Sequence, residues 1–245
     1  MTGSPLAQGK PYRFLSALAL IFAIAHVPFL AGSLEDIDSV NFALGVRDFD
    51  VATHRPHPPG YPVYIALGKA ATAITGAFSD APASMIEARA LAILSMLAGV
   101  VAIVLLYRVF AAMGSSSGFD VEAFAATAIA VSCPLFWYLG ARPMSDLPGL
   151  TAALASQACL MSAWRKQRAG PDGDRRLSPA LTGASGRMIV IGAFLAAFSI
   201  GLRSQTVWFT APLLALVLLD RVGRGVAGAL LGSSVMFVAG GLAWG

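Results

Sequence analysis

The chain has 245 residues, of which 57% are hydrophobic and only 12% are charged, and its mean hydropathy is +0.72. About a quarter of the residues of a soluble domain are charged, so this composition excludes disorder and disfavours a soluble globule. The 17 basic and 13 acidic residues give a net charge of +4, which we interpret as a topology signal in the loops, with nothing favouring nucleic acid. The composition predicts an integral membrane protein.

Seven apolar segments approach the roughly 20 residues that an α-helix needs to cross a bilayer. They lie near residues 14–32, 88–112, 122–140, 147–164, 188–203, 205–219 and 225–244. We therefore predict an all-α polytopic transmembrane bundle of about seven spans. The last segment runs to the end of the given sequence, which predicts that residues 1–245 are the N-terminal part of a transmembrane domain.

The stretch 61–79 is long enough to span, but it carries Lys69 near its centre with two threonines and two glycines. If it does not span, the loops on the N-terminal side hold eleven basic residues and the opposite loops hold six. This asymmetry fits the positive-inside rule. We therefore predict an interfacial helix at 61–79, an outer loop at 33–87, a basic cytoplasmic loop at 165–187, and a cytoplasmic N-terminus.

Three acids, Glu35, Asp36 and Asp38, follow the first predicted span directly. Carboxylates grouped there suit a metal, a cationic substrate group or a hydroxyl that needs a base. The alternative is that they form the first turn of a helix, where the helix dipole favours acids. Asp48 and Asp50 fit a turn that ends this helix better than a pair of ligands.

Residues 54–62 read His-Arg-Pro-His-Pro-Pro-Gly-Tyr-Pro, with four prolines in seven residues. Proline fixes the backbone, so this segment is predicted to hold His54, Arg55 and His57 in defined directions. The alternative is that the prolines only shape the start of the interfacial helix. His26, in the first apolar segment, is predicted to be a hydrogen-bonded packing residue.

Two further polar islands are predicted on the outer side, one containing Arg142 and Asp146 and the other containing Arg203. Ionisable groups at membrane depth usually pair with one another or line a site. Arg142 and Asp146 are therefore predicted either to pair or to belong to a site in which Arg142 and Arg203 bind a phosphate. In the second case three outer loops converge on one face.

Three motifs in this order resemble those of the polytopic glycosyltransferases of the C superfamily, which include protein O-mannosyltransferases and aminoarabinose transferases. Asp38 in EDIDSVNFALG is similar to the first-loop aspartate of that family, and HRPHPPGYPVY is similar to its His-Pro-Pro-Gly-Tyr-Pro segment. ARPMSDLPGL and GLRSQ resemble later outer-loop elements. The first of the two later elements contains Asp146 as well as Arg142.

The resemblance implies transfer of a sugar from a polyprenyl-phosphate carrier to an acceptor hydroxyl at the outer face of a bacterial inner membrane. Asp38 is the implied general base, with Asp36 as its competitor. Residues implied to bind the substrate or its phosphate are His54, Arg55, His57, Arg142, Asp146 and Arg203. The implied partners are a lipid-linked sugar donor, membrane lipids, and a lipid, polymer or protein acceptor.

This chain departs from the family pattern at Ser39, where many members have a glutamate after the aspartate. No cofactor is implied with certainty, and a divalent metal remains an open alternative. Two other functions are kept as alternatives: a transporter or lipid-carrier flippase, and an inactive truncated remnant of the enzyme.

Overall fold

The computed structural model describes residues 10–114, 120–168 and 184–222. Within these ranges the chain forms nine α-helices, short 3-10 turns and no β-strand. The helices are α1 (Lys10–His26), α2 (Ile37–Arg47), α3 (Pro62–Gly76), α4 (Ala83–Met113), α5 (Val121–Val131), α6 (Pro134–Gly140), α7 (Asp146–Arg168), α8 (Ala184–Leu202) and α9 (Val207–Val222). The predicted all-α class is therefore confirmed for the described residues.

Two described helices, α4 with 31 residues and α8 with 19, are long and apolar enough to cross a membrane. The pair α5 and α6 becomes a third candidate if its two helices form one span, although they are bent by 66°. The bend falls at Ser132, Cys133 and Pro134, and Pro134 has no N–H to continue the hydrogen bonds of α5.

Fewer candidate spans are found in the described residues than the seven predicted. The predicted segments 88–112 and 188–203 correspond to α4 and α8, and 122–140 corresponds to the bent pair. The segments 14–32 and 205–219 form apolar helices of at most 17 residues. The remaining described segment, 147–164, forms α7, which is not among the candidates.

These differences have local physical reasons. The helix α1 gives way to a 3-10 turn at Val27–Phe29, which contains Pro28. The helix α7 carries a serine and a glutamine near its middle and three basic residues in its last turn, so it is less apolar than α4 or α8. The predicted span 225–244 and most of the predicted basic loop 165–187 lie outside the described residues.

The chain divides into two compact units. One contains residues 1–60 and 65–147, and the other contains residues 61–64 and 148–245. In the first unit α4 is the central helix, against which α1, α2, α5 and α6 pack. The predicted helix at 61–79 is found as α3, whose Gly68 lies against Leu91 of α4.

His26 and Phe22 join the end of α1 to the rest of the first unit. Phe22 is fully buried and lies so close to α4 that a Cβ on Gly99 would be 2.6 Å from its ring. The two ring nitrogens of His26 lie 2.6 Å from the carbonyl oxygen of Phe22 and 2.9 Å from that of Trp137. The prediction that His26 is a hydrogen-bonded packing residue is confirmed.

The second unit packs α7, α8 and α9 around a core of six buried side chains: Leu160, Ala163, Ile189, Ala193, Leu214 and Val217. The Ser156 hydroxyl of α7 donates a hydrogen bond of 2.7 Å to the Gly192 carbonyl of α8. Small residues and such interhelical hydrogen bonds are typical of helix pairs that associate in lipid, where apolar burial alone gives no preference for protein contacts.

Candidate functional site

The helix α2 carries the acids that follow the first apolar helix. It begins after Asp36, whose backbone N–H donates to the Ser39 hydroxyl at 3.1 Å, and Ser39 donates to the Asp36 carbonyl at 2.6 Å. Asp36 is thus the N-cap of the helix, and Asp38 lies in its first turn. Asp38 and Phe42 are four residues apart and share one face of α2.

A tight turn follows α2 and sends the chain back toward it. The backbone N–H of Asp50 donates to the Arg55 carbonyl at 2.7 Å, and that of Arg55 donates to the Asp50 carbonyl at 2.8 Å. The Asp50 carboxylate accepts hydrogen bonds from the N–H groups of Ala52 and Thr53, and hydrogen bonding by Thr53 is the main cause that lowers its pKa. Asp48 caps the end of α2, so the prediction of a helix-ending turn is confirmed.

The proline-rich segment then runs along α2. Pro56 is buried, and its ring lies against Gly45 so closely that a Cβ there would be 2.6 Å from Pro56 Cδ. The Gly60 N–H donates to the His57 carbonyl at 3.0 Å, and Gly60 has a φ of 93° that favours glycine. These contacts direct the His57 ring toward α2.

Asp38, Phe42 and His57 form a cluster that we call the first-loop site. His57 Nε2 lies 3.8 Å from Asp38 Oδ1, and the His57 ring lies 6.1 Å from the Phe42 ring between centroids. The Asp38 side chain is 33% exposed and that of His57 is 29% exposed. The two residues that the sequence assigned to catalysis and to phosphate binding are therefore neighbours.

The Asp38 carboxylate makes no hydrogen bond to any residue that the structure describes, although His57 lies within ion-pair distance. The 3.8 Å separation exceeds the 2.7 to 3.2 Å range of an N–H···O hydrogen bond. A partly exposed carboxylate in this state can accept a proton or a hydrogen bond from a ligand. Asp36, by comparison, is committed to starting α2 through its backbone.

The other two basic side chains of the His-Pro segment, those of Arg55 and His54, have different surroundings. Arg55 Nη1 donates to Asp48 Oδ2 at 2.8 Å, and Arg55 Nε donates to the Thr53 hydroxyl at 2.9 Å. His54 is exposed and has a left-handed φ of 58° at the end of the turn. Arg55 thus holds the turn together, and only His57 is placed beside Asp38.

Arg142, in the loop after α6, forms an ion pair with Glu35, in the loop before α2. Its guanidinium carbon also lies 4.9 Å from the centre of the Tyr138 ring. The hydrogen bond from Arg142 is the main cause that lowers the pKa of Glu35, and the same bond raises the pKa of Arg142. The predicted ion pair of Arg142 with Asp146 is therefore not found, because Arg142 pairs with Glu35 instead.

Asp146 and Arg203 complete the predicted set. Asp146 is the first residue of α7 and is half-buried. Arg203 belongs to the second unit, where its carbonyl accepts hydrogen bonds from the Thr206 N–H at 3.1 Å and the Thr206 hydroxyl at 2.8 Å. The predicted convergence of the Arg203 loop with the first loop stays a prediction.

An ion pair between Arg47 of α2 and Glu87 of α4 was not predicted from the sequence. Arg47 Nε donates a hydrogen bond of 2.6 Å to Glu87 Oε1, and Arg47 Nη2 donates one of 2.6 Å to Glu87 Oε2. Glu87 lies directly before the apolar segment 88–112, where a carboxylate requires a partner. That signal could have identified Glu87 as paired, but nothing in the sequence names Arg47 as the partner.

The described residues contain no group of three or more His, Cys, Asp or Glu side chains arranged to hold a metal ion. The chain matches no protein-family model, and no curated protein and no solved structure is similar to it. The residues of the first-loop site and the neighbouring pair of Glu35 and Arg142 are therefore the basis for assigning a function.

Proposed function

We propose that this chain belongs to a membrane glycosyltransferase that transfers a sugar from a polyprenyl-phosphate carrier to an acceptor hydroxyl. Asp38 is the general base. The observation that carries the proposal is the partly exposed Asp38 carboxylate, which lies beside His57 and makes no hydrogen bond within the described ranges. The first-loop motifs that resemble those of the C-superfamily glycosyltransferases support it.

The proposed reaction uses Asp38 to activate a weak nucleophile. As the acceptor oxygen bonds to the anomeric carbon, its proton passes to the Asp38 carboxylate. The bond between the anomeric carbon and the carrier phosphate breaks, and the phosphate leaves with both electrons of that bond. His57, whose Nε2 lies 3.8 Å from Asp38 Oδ1, is proposed to contact the substrate beside the base.

Arg142 is the proposed cation for the leaving phosphate. Only Nη1 of its guanidinium bonds to a described carboxylate, that of Glu35, so donors of the planar fork remain for a phosphate. A preorganised cation stabilises the growing negative charge of the leaving group without reorganisation. The role in phosphate binding predicted for Arg203 stays a prediction.

The proposal also keeps the finer topology. The first loop faces the outside, the N-terminus is cytoplasmic, and the chain crosses the membrane about seven times, as its apolar segments predict. The acceptor is a lipid, a polymer or a protein, and the sequence motifs are compatible with each of these.

Transfer assays on membranes containing Asp38→Asn test the proposal. Asn keeps the size of Asp but cannot accept the proton, so we expect transfer from a radiolabelled polyprenyl-phosphate sugar to fall at least about 100-fold. Asp80→Asn is the matched control, because Asp80 is exposed and lies outside the first-loop site. We expect it to transfer at the wild-type rate.

Two outcomes contradict the proposal at different levels. Unchanged turnover in Asp38→Asn removes Asp38 from the role of base. If the wild-type chain moves the lipid-linked sugar across vesicle membranes without transferring it, the transporter or flippase alternative replaces the enzyme.

A further inference from the structure

A groove of about 460 Å³ opens between the end of α3 and the start of α4, entirely within the first unit. Ile74 and Phe78 line one side, and Ile86 and Ile93 line the other. Phe78 is 87% exposed, so the groove is continuous with an apolar outer surface. Its walls therefore suit a hydrocarbon chain.

One cation lines this apolar groove. Arg89 lies on the same face of α4 as Ile86 and Ile93, at helical spacings of three and four residues. It is exposed and has no ion pair or hydrogen bond with any described residue. The nearby carboxylates of Glu35 and Glu87 are bonded to Arg142 and Arg47.

The position of Arg89 along the chain indicates its level relative to a membrane. It lies in the second turn of α4, the longest candidate span, and Arg89 Nη2 is 4.0 Å from where a Cβ of Gly32 would be. Gly32 in turn closely follows the end of the first apolar helix. A guanidinium in the second turn of a helix that crosses a bilayer would lie at the depth of the lipid headgroups.

We propose that this groove binds one anionic phospholipid, with its phosphate on Arg89 and an acyl chain along Ile74, Phe78, Ile86 and Ile93. The occupant must carry a negative charge and a hydrocarbon chain, because the walls are apolar and the single lining charge is positive. The hydroxyls of Thr75 and Ser79 also line the groove and can contact the headgroup. Asp80, which follows Ser79 directly, is exposed and does not line the groove.

This site differs from the proposed catalytic site, because none of the residues that line it belongs to the first-loop site or to the Glu35 and Arg142 pair. The inference does not depend on the proposed glycosyltransferase function. A lipid held there fastens the α3 and α4 hairpin to one leaflet.

Native mass spectrometry of the full chain in uncharged detergent tests the proposal. The chain is titrated with phosphatidylglycerol, with phosphatidylcholine of the same acyl length, and with inorganic phosphate. We expect one phosphatidylglycerol to bind saturably, phosphatidylcholine to bind more weakly, and inorganic phosphate not to displace the lipid. Removing a charge-assisted contact in Arg89→Gln should weaken phosphatidylglycerol binding about tenfold.

Matched variants separate the site from general effects. Phe78→Ser removes an exposed groove wall and should also weaken binding, whereas Phe209→Ser removes an exposed aromatic ring outside the groove and should not. Arg187→Gln removes an equal charge from α8 and should bind phosphatidylglycerol like the wild type. Both groove variants alter exposed side chains, so their unfolding temperatures should match that of the wild type.

The proposal is overturned if phosphatidylglycerol and phosphatidylcholine bind equally, because the headgroup charge is then irrelevant. Equal affinities of Arg89→Gln and Arg187→Gln also overturn it. Displacement of the lipid by inorganic phosphate at equal concentration overturns it as well, because the groove then binds an anion and does not recognise a lipid.

Discussion

Arg47 donates two hydrogen bonds of 2.6 Å to the carboxylate of Glu87 and so joins the last residue of α2 to the start of α4. The two partners differ in their surroundings: the Glu87 side chain is 5% exposed, and that of Arg47 is 49% exposed. The pair holds the helix that carries Asp38 against the longest apolar helix of the first unit. The hydrogen bond with Glu87 is the main cause that raises the pKa of Arg47.

The unequal burial of this pair predicts unequal effects of removing its two members. Arg47→Met leaves the Glu87 carboxyl buried and without its partner, and should lower the free energy of unfolding by about 2 to 3 kcal/mol. Glu87→Gln leaves Arg47, which can turn toward solvent, and should cost about 1 kcal/mol. Chemical unfolding in detergent micelles measures both values.

The double variant Arg47→Met with Glu87→Gln provides the control for this prediction. It removes both charges, so it should be more stable than Arg47→Met alone. A cost of Arg47→Met equal to or below that of Glu87→Gln contradicts the importance of the buried carboxylate.

Gly45 sets the distance between α2 and the His-Pro segment. In Gly45→Ala the new methyl group meets the rigid Pro56 ring at 2.6 Å and the Pro56 backbone nitrogen at 3.0 Å. We expect the unfolding free energy to fall by about 1 to 3 kcal/mol, because neither proline atom can move independently of the backbone. The shift of the segment should also move His57 away from Asp38 and lower transfer activity.

Gly76→Ala is the matched control for Gly45→Ala. Gly76 ends α3, and the nearest atom to its added Cβ is the Ile86 Cγ2 at an ordinary 3.8 Å. Because alanine favours helix over glycine, this variant should be as stable as the wild type or slightly more stable. Equal destabilisation by both substitutions shows that the contact with Pro56 is not the cause.

The Glu35 and Arg142 pair predicts a dependence of stability on pH. The hydrogen bond that Arg142 donates to Glu35 lowers the pKa of Glu35 below the ordinary 4.5, so the folded state favours the charged carboxylate. The contribution is therefore fully present above pH 4.5 and is lost as the pH falls through the lowered value. Thermal unfolding of the wild type and Glu35→Gln should differ near neutral pH and converge in acid.

The size of this difference should be small, because the Glu35 side chain is 55% exposed and solvent screens the pair. Glu122→Gln is the control, since Glu122 is an exposed residue in α5 that has no ion pair among the described residues. A gap between wild type and Glu35→Gln that widens in acid contradicts the lowered pKa.

Several local features were correctly predicted because they depend on neighbours along the chain. The apolar runs specify helices, since a helix satisfies its own backbone hydrogen bonds wherever it lies. Asp48 and Asp50 follow α2 directly and form its ending turn, and His26 finds the Phe22 carbonyl four residues earlier in its own helix. These relationships need no knowledge of the tertiary structure.

The sequence alone determined the all-α class and singled out Asp38 and His57, but only the tertiary structure placed them 3.8 Å apart. The same is true of Arg142 with Glu35, which are 107 residues apart, and of Arg47 with Glu87, which are 40 apart. The hydropathy pattern predicts that a charged side chain in an apolar segment forms an ion pair, whereas the identity of its partner depends on which helices pack together. That packing is decided by close approaches such as Gly45 with Pro56 and Gly99 with Phe22, which no local pattern records.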